Sequence, residues 1–124
     1  MSEKLLNEEL SRDIIGAAMD VLNALKPGLD EKIYENALIV ELVHRGRMPM
    51  PQSRFVVKYR DHVVGTLVPD LIVDDLIVVD TKVVSQFNDA HIAQMIGYLA
   101  ITGKKVGLLI NFHDTTLQWK RIVR

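Results

Sequence analysis

Between Val68 and Val84 the chain runs through two stretches rich in Val, Ile and Leu, broken by Asp74-Asp75 and carrying Asp70, Asp80 and Lys82 within them. β-Branched apolar runs of this length, separated by turn residues, read as two β-strands. Charge inside such strands is costly unless it is paired or bound to a metal. The fold must therefore bury these strands while giving two carboxylates and an ammonium a common destination.

The rest of the chain supplies cover for such strands. From Leu6 the apolar positions Leu10, Ile14, Ala17, Ala18, Val21, Leu22 and Leu25 recur at three- and four-residue spacing, an amphipathic helix that Pro27-Gly28 ends. Asp30 suits the cap of a second helix whose expected buried stripe is Ile33, Tyr34, Ala37, Leu38, Glu41 and Leu42. Arg45-Gly46-Arg47 fits its C-terminus, and Met48-Pro49-Met50-Pro51 reads as an extended connector. Strands are expected over Arg54–Arg60, His62–Val73 and Leu76–Val84, with tight turns at Asp61 and at Asp74-Asp75. Asn88 or Asp89 caps a third helix that runs to about Thr102 and stops at Gly103. Lys105–Phe112, almost wholly apolar, is expected to be a central strand, and after a turn at residues 113–115 a last strand covers Thr116–Val123. The order α-α-β-β-β-α-β-β predicts one α/β domain over residues 1–124, a mixed sheet with helices on its faces.

Composition narrows the setting. No apolar run approaches the roughly 20 residues that span a bilayer. The start of the chain lacks the basic and apolar segments of a signal peptide, and there is no cysteine for a disulfide or a thiolate metal site. A cytoplasmic protein without membrane partners is expected. Net charge is −1, so any nucleic-acid surface must come from local clusters: Arg45 with Arg47, Arg54 with Lys58 and Arg60, Lys104-Lys105, or Lys120-Arg121 with Arg124.

Asp80 and Lys82, two apart in a strand, share one face of the sheet with Thr81 turned away. A carboxylate beside an ammonium stays ionised, which suits either a salt bridge or a metal ligand. Two carboxylates and a lysine side by side are what Mg²⁺-assisted phosphodiester cleavage requires. A two-residue turn at Asp74-Asp75 would, however, set Pro69 opposite Asp80 and send Asp70 to the other face. A shared site demands an irregularity between Val68 and Leu76, since a one-residue slip reverses a side chain. Glu31 in the first turn of the second helix is a third acid, with Tyr34 beside it. His91, Gln94 and Tyr98 recur at three and four on the third helix as polar members of its inner stripe.

These residues resemble the PD-(D/E)xK nuclease superfamily: Asp70, then Asp80-x-Lys82, an acid on a preceding helix and a glutamine on the following one. Gly28-Leu29-Asp30-Glu31-Lys32-Ile33-Tyr34 is similar to the motif of the GxxExxY family within it. The likeness continues through His91–Tyr98 and Gly107–Phe112 and covers nearly the whole chain. One departure is Asp80, where that family usually has glutamate.

The resemblance implies a restriction-endonuclease-like α/β/α core. It implies Asp70 and Asp80 as direct ligands of Mg²⁺ or Mn²⁺, Lys82 as the catalytic lysine, and Glu31 binding metal through water. Gln94 would complete the site, the backbone carbonyl of Thr81 would be an additional ligand, and Tyr34, His91 and Tyr98 are accessory candidates. The expected activity is metal-dependent hydrolysis of phosphodiester bonds, with DNA placed ahead of RNA as substrate and a homodimer or partner protein supplying basic surface. The alternatives are a nuclease fold used for binding or regulation with weak or no catalysis, and a metal phosphohydrolase of small substrates.

Overall fold

The computed structural model of the protein describes residues 7–124; Leu6, where the first helical pattern begins, and the rest of the leader reading lie outside the described residues. Helix α1 (Glu8–Leu25) buries Leu10, Ile14, Ile15, Ala17, Ala18, Val21 and Leu22. It stops at Lys26, whose φ of 66° leaves the helical region just ahead of Pro27. Helix α2 (Glu31–His44) starts after Asp30 and buries Tyr34, Glu35, Leu38 and Leu42. This differs from the expected stripe. Ile33 is exposed, and the carboxylate of Glu35 turns inward in its place.

Four short strands follow: β1 (Pro49–Pro51), β2 (Phe55–Tyr59), β3 (His62–Leu67) and β4 (Leu71–Val73). The expected strand over His62–Val73 is therefore two strands, broken across residues 68–70, where Pro69 has no N–H to give to a ladder. The prolines of the expected connector are tolerated in β1 because it is an edge strand. After β5 (Ile77–Lys82) come helix α3 (Asp89–Thr102), β6 (Val106–Asn111) and β7 (Gln118–Val123). Asn88 caps α3 as expected, its side chain accepting from the His91 N–H, and Gly103 closes the helix in the left-handed region.

The main sheet has the order β1-β4-β5-β6-β7, while β2 and β3 form a separate two-stranded ribbon. The β5–β6 pair, joined through α3, is parallel, and the other pairs are antiparallel. Side chains alternate between the faces. Leu71, Val73, Ile77, Val79, Val106, Leu108 and Ile110 pack with α1 and α2, whereas Ile72, Val78, Leu109 and Ile122 pack with Met95 and Leu99 of α3. Helices on both faces of a mixed sheet give the expected α/β/α core.

Close approach of α3 to the sheet depends on Gly107. A Cβ built there would lie 2.3 Å from Met95 Sδ, in a fully buried contact. We expect Gly107→Ala to cost about 1–3 kcal/mol by overpacking, read from urea unfolding. Met95→Ala in the same chain should return part of that loss, and equal stability of Gly107→Ala and the unmodified chain would refute the tight contact.

Candidate active site

The register of β4 and β5 decides the face of Asp70. Leu71 pairs with Val79, Ile72 with Val78 and Val73 with Ile77. Three residues, 74–76, thus separate the last pair. Asp74 (φ 53°) and Asp75 (φ 59°) both adopt left-handed backbone, and the Leu76 N–H donates to the Val73 carbonyl at 3.0 Å. Leu76 is the extra residue; it is 46% exposed instead of starting the strand. Extended by one more pair, this register would set Asp70 opposite Asp80, so the irregularity expected between Val68 and Leu76 is present and has the required parity.

Ladder pairing ends at Leu71, and the side chain of Asp70 takes its place. Its Oδ2 accepts from the Thr81 N–H at 3.1 Å and from Thr81 Oγ1 at 3.4 Å. The Asp70 carbonyl accepts from the Gln52 N–H at 3.2 Å. The sheet is therefore opened between β4 and the end of β5, and a carboxylate fills the opening.

Asp80 is only 3% exposed. Burial pushes its carboxyl up to about 7, the adjoining carboxyl and negative charge of Asp70 push in the same direction, and the Lys82 ammonium pulls back. Lys82 Nζ lies 3.2 Å from Asp80 Oδ2, yet without hydrogen-bond geometry, so that oxygen is buried with no hydrogen-bond donor. The same ammonium donates to Gln94 Oε1 at 3.4 Å, which brings α3 into the group. Burial raises the Tyr98 phenol, followed by the charges of Asp80 and Asp70, which places this side chain beside the pair. Glu31 stands at the rim. Partial desolvation and the charge of Asp70 raise its carboxyl, and Lys82 opposes them.

Asp70, Asp80, Lys82 and Gln94 are thus brought together, with Tyr98 and Glu31 flanking them. Among the described residues no three His, Cys, Asp or Glu side chains are grouped tightly enough to hold a metal ion by themselves, so Glu31 stays outside a direct cage. The donor set nevertheless fits a hard divalent cation: two adjoining carboxylates, one buried with the Lys82 ammonium as the counter-charge on its Oδ2, are relieved by a positive charge between them.

Two accessory candidates have other occupations. Tyr34 is fully buried, stacked on Phe112 with ring centroids 4.9 Å apart. Its hydroxyl donates to the Lys26 carbonyl at 2.5 Å and accepts from the Leu29 N–H at 3.1 Å. It fastens the loop before α2, including Gly28 with its φ of 110°, and so fixes where Glu31 begins its helix. His91 Nδ1 accepts from the Asn88 N–H at 3.1 Å, completing the α3 capping box. Sequence reasoning missed Glu35, a buried acid ion-paired with Lys32 and one turn beyond Glu31 on the same helix. Its i+4 spacing from Glu31 was the available signal.

The basic clusters separate into two kinds. Arg45 pairs with Asp13, Asp20 and Glu41, and Arg47 with Asp13 and Asp74, which ties α1, α2 and the β4–β5 turn together. These two arginines are therefore internal cross-links. Arg54, Lys58 and Arg60 lie on or beside the β2–β3 ribbon, on exposed positions.

Residues 8–122 match the family described as the PD-(D/E)XK nuclease superfamily. No curated protein matches the chain in sequence. Among solved structures, the alkaline exonuclease LHK-Exo from Laribacter hongkongensis is similar over 86% of this chain and 76% of that one, at 14% identity and a TM-score of 0.52. The structure of LHK-Exo in complex with dAMP matches with the same identity and coverage and a TM-score of 0.53. At this identity the likeness establishes the shared fold.

Proposed function

This chain belongs to the PD-(D/E)XK nuclease superfamily, and from that premise we propose that it is a metal-dependent nuclease that hydrolyses phosphodiester bonds of DNA in preference to RNA. The observation that carries the reading is the convergence at the opened end of β5 of Asp70, bound to the Thr81 N–H, and the buried Asp80 next to it, with Lys82 and Gln94 against Asp80. We assign it within the superfamily to the GxxExxY group on Gly28, Glu31 and Tyr34, and the fastening of the α2 start by Tyr34 supplies a physical reason for that spacing.

Asp70 and Asp80 would hold Mg²⁺ or Mn²⁺, with the Thr81 carbonyl on the edge where the Thr81 N–H meets Asp70 and Glu31 reaching in through water. When bound, the ion supplies Lewis-acid polarisation of the phosphate and an acidified water. Lys82 holds its positive charge beside the reacting phosphate, where negative charge grows during attack. Gln94 orients the Lys82 ammonium through their hydrogen bond and offers its amide N–H₂ to a phosphate oxygen or the attacking water. The charges of Asp80 and Asp70 act on the Tyr98 phenol and, after burial, keep it in its protonated form.

The reading is tested with end-labelled single-stranded DNA, plasmid and RNA incubated with the protein in Mg²⁺ or in EDTA. DNA cleavage that requires the metal, with RNA cut more slowly, is expected. We also expect Gln94→Ala to reduce the cleavage rate by roughly 10- to 100-fold while leaving the melting temperature nearly unchanged. Metal-independent cleavage, or none of any polymer, overturns the reading.

A further inference from the structure

The β2–β3 ribbon stands apart from the sheet and from most of the core. Phe55 at its foot packs, as Phe87, Ile92 and Tyr98 do, against the core cluster that includes Ile72, Met95 and Leu99, and Leu67 at its other foot leads through Val68 and Pro69 directly to Asp70. The ribbon is therefore rooted beside the paired carboxylates, on the α3 face. Beyond Val57 every residue through Thr66 is exposed. A two-stranded ribbon with both faces in water is marginal alone, and this one carries Val56, Tyr59, Val63 and Val64, each more than half exposed.

Its charge is as unusual as its exposure. Arg54, Lys58 and Arg60 face one acid, Asp61, in a chain whose net charge is −1. Among the described residues none of these three cations enters an ion pair, whereas Arg45, Arg47, Lys82 and Lys104 all do. The Arg60 guanidinium lies 5.7 Å over the ring of Tyr59 and donates to its hydroxyl at 3.4 Å. A turn with φ of 48° at Arg60 and 64° at Asp61 holds this pair at the tip.

We propose that the β2–β3 ribbon is a docking surface for single-stranded DNA that feeds the strand to Asp70 and Asp80; this rests on the nuclease reading above. Unpaired cations neutralise phosphates, and an exposed aromatic ring with a guanidinium on it is a stacking platform for bases. The exposed valines select the single strand: they need apolar base faces, which a duplex hides in its stack.

The test is fluorescence anisotropy with labelled dT20 and a 20-base-pair duplex in EDTA, so that binding is read without turnover. The unmodified chain should bind dT20 more tightly than the duplex. Lys58→Ala/Arg60→Ala should weaken dT20 binding at least about tenfold and reduce the salt slope by about 1.4. Tyr59→Ala should weaken it roughly five- to hundredfold, with Tyr59→Phe restoring most of the loss. Near-equal melting temperatures of the variants confirm that folding is not what changed. Unaltered dT20 binding in both variants, tighter duplex binding, or a dimer in sedimentation that the ribbon variants dissociate would each overturn the proposal. Cleavage in Mg²⁺ is scored separately: ribbon-dependent binding without cleavage removes the nuclease reading and keeps the docking surface, and cleavage with ribbon-independent binding does the reverse.

Discussion

Asp80→Asn is expected to lower DNA cleavage by more than about 100-fold, since even partners that only support a metal ligand are worth 10–100-fold, and at the same time to stabilise the metal-free protein above pH 7. The two effects share one cause. Folded Asp80 keeps its proton up to about pH 7, whereas an unfolded aspartate loses it near 3.8. Between these values the folded chain binds more protons than the unfolded chain, so stability falls as pH rises through that window and levels off above it. The full window corresponds to on the order of 4 kcal/mol at most. Asparagine preserves the shape and removes the charge. Urea unfolding in EDTA at pH 5 and pH 8 should show a clear loss of stability for the unmodified chain and a smaller one for Asp80→Asn. Mg²⁺ should raise the melting temperature of the unmodified chain at pH 8 and leave the variant nearly unmoved. Identical pH dependence of the two proteins would rule out the buried carboxylate pair as its source.

Lys82→Ala is expected to cost cleavage roughly 10²- to 10³-fold, the range for removing one group that stabilises transition-state charge. Its pH signature separates it from a simple packing defect. The Lys82 ammonium lowers the proton affinity of Asp80, so its removal is expected to raise that carboxyl further and to favour its protonated form near neutral pH. Mg²⁺ binding, followed by the melting temperature, should then be weak at pH 7 and recover towards pH 9. The acidic limb of the cleavage profile should move upward in pH. Lys82→Arg keeps the charge and should retain the original limb even where the rate falls. A Lys82→Ala variant with the unmodified pH profile would show that Lys82 does not govern the ionisation of Asp80.

Much of this architecture is legible because helices and buried strands are written in local periodicity. The ends of α3 follow from Asn88 and Gly103, and the six buried positions of β6 follow from an uninterrupted apolar run. The candidate residues Asp70, Asp80 and Lys82 are equally visible, because charge within apolar strands is rare. Glu35 is not. Periodicity assigns a charged residue to the solvent face, and only the packing of α2 turned it inward.

The sequence by itself determined the helices, most strand positions and the set of acids and lysine that had to be reconciled with burial. It also posed the condition that Asp70 needs a break in regular pairing. Tertiary structure alone decided how the condition is met: two left-handed aspartates and an extra Leu76 shift the register by one residue. It also decided that Arg45 and Arg47 serve as internal cross-links while Arg54, Lys58 and Arg60, on or beside a separate ribbon, enter no ion pair among the described residues. The physical reason is range. Periodicity and capping act over a few residues, whereas strand register and charge pairing depend on which distant segments meet.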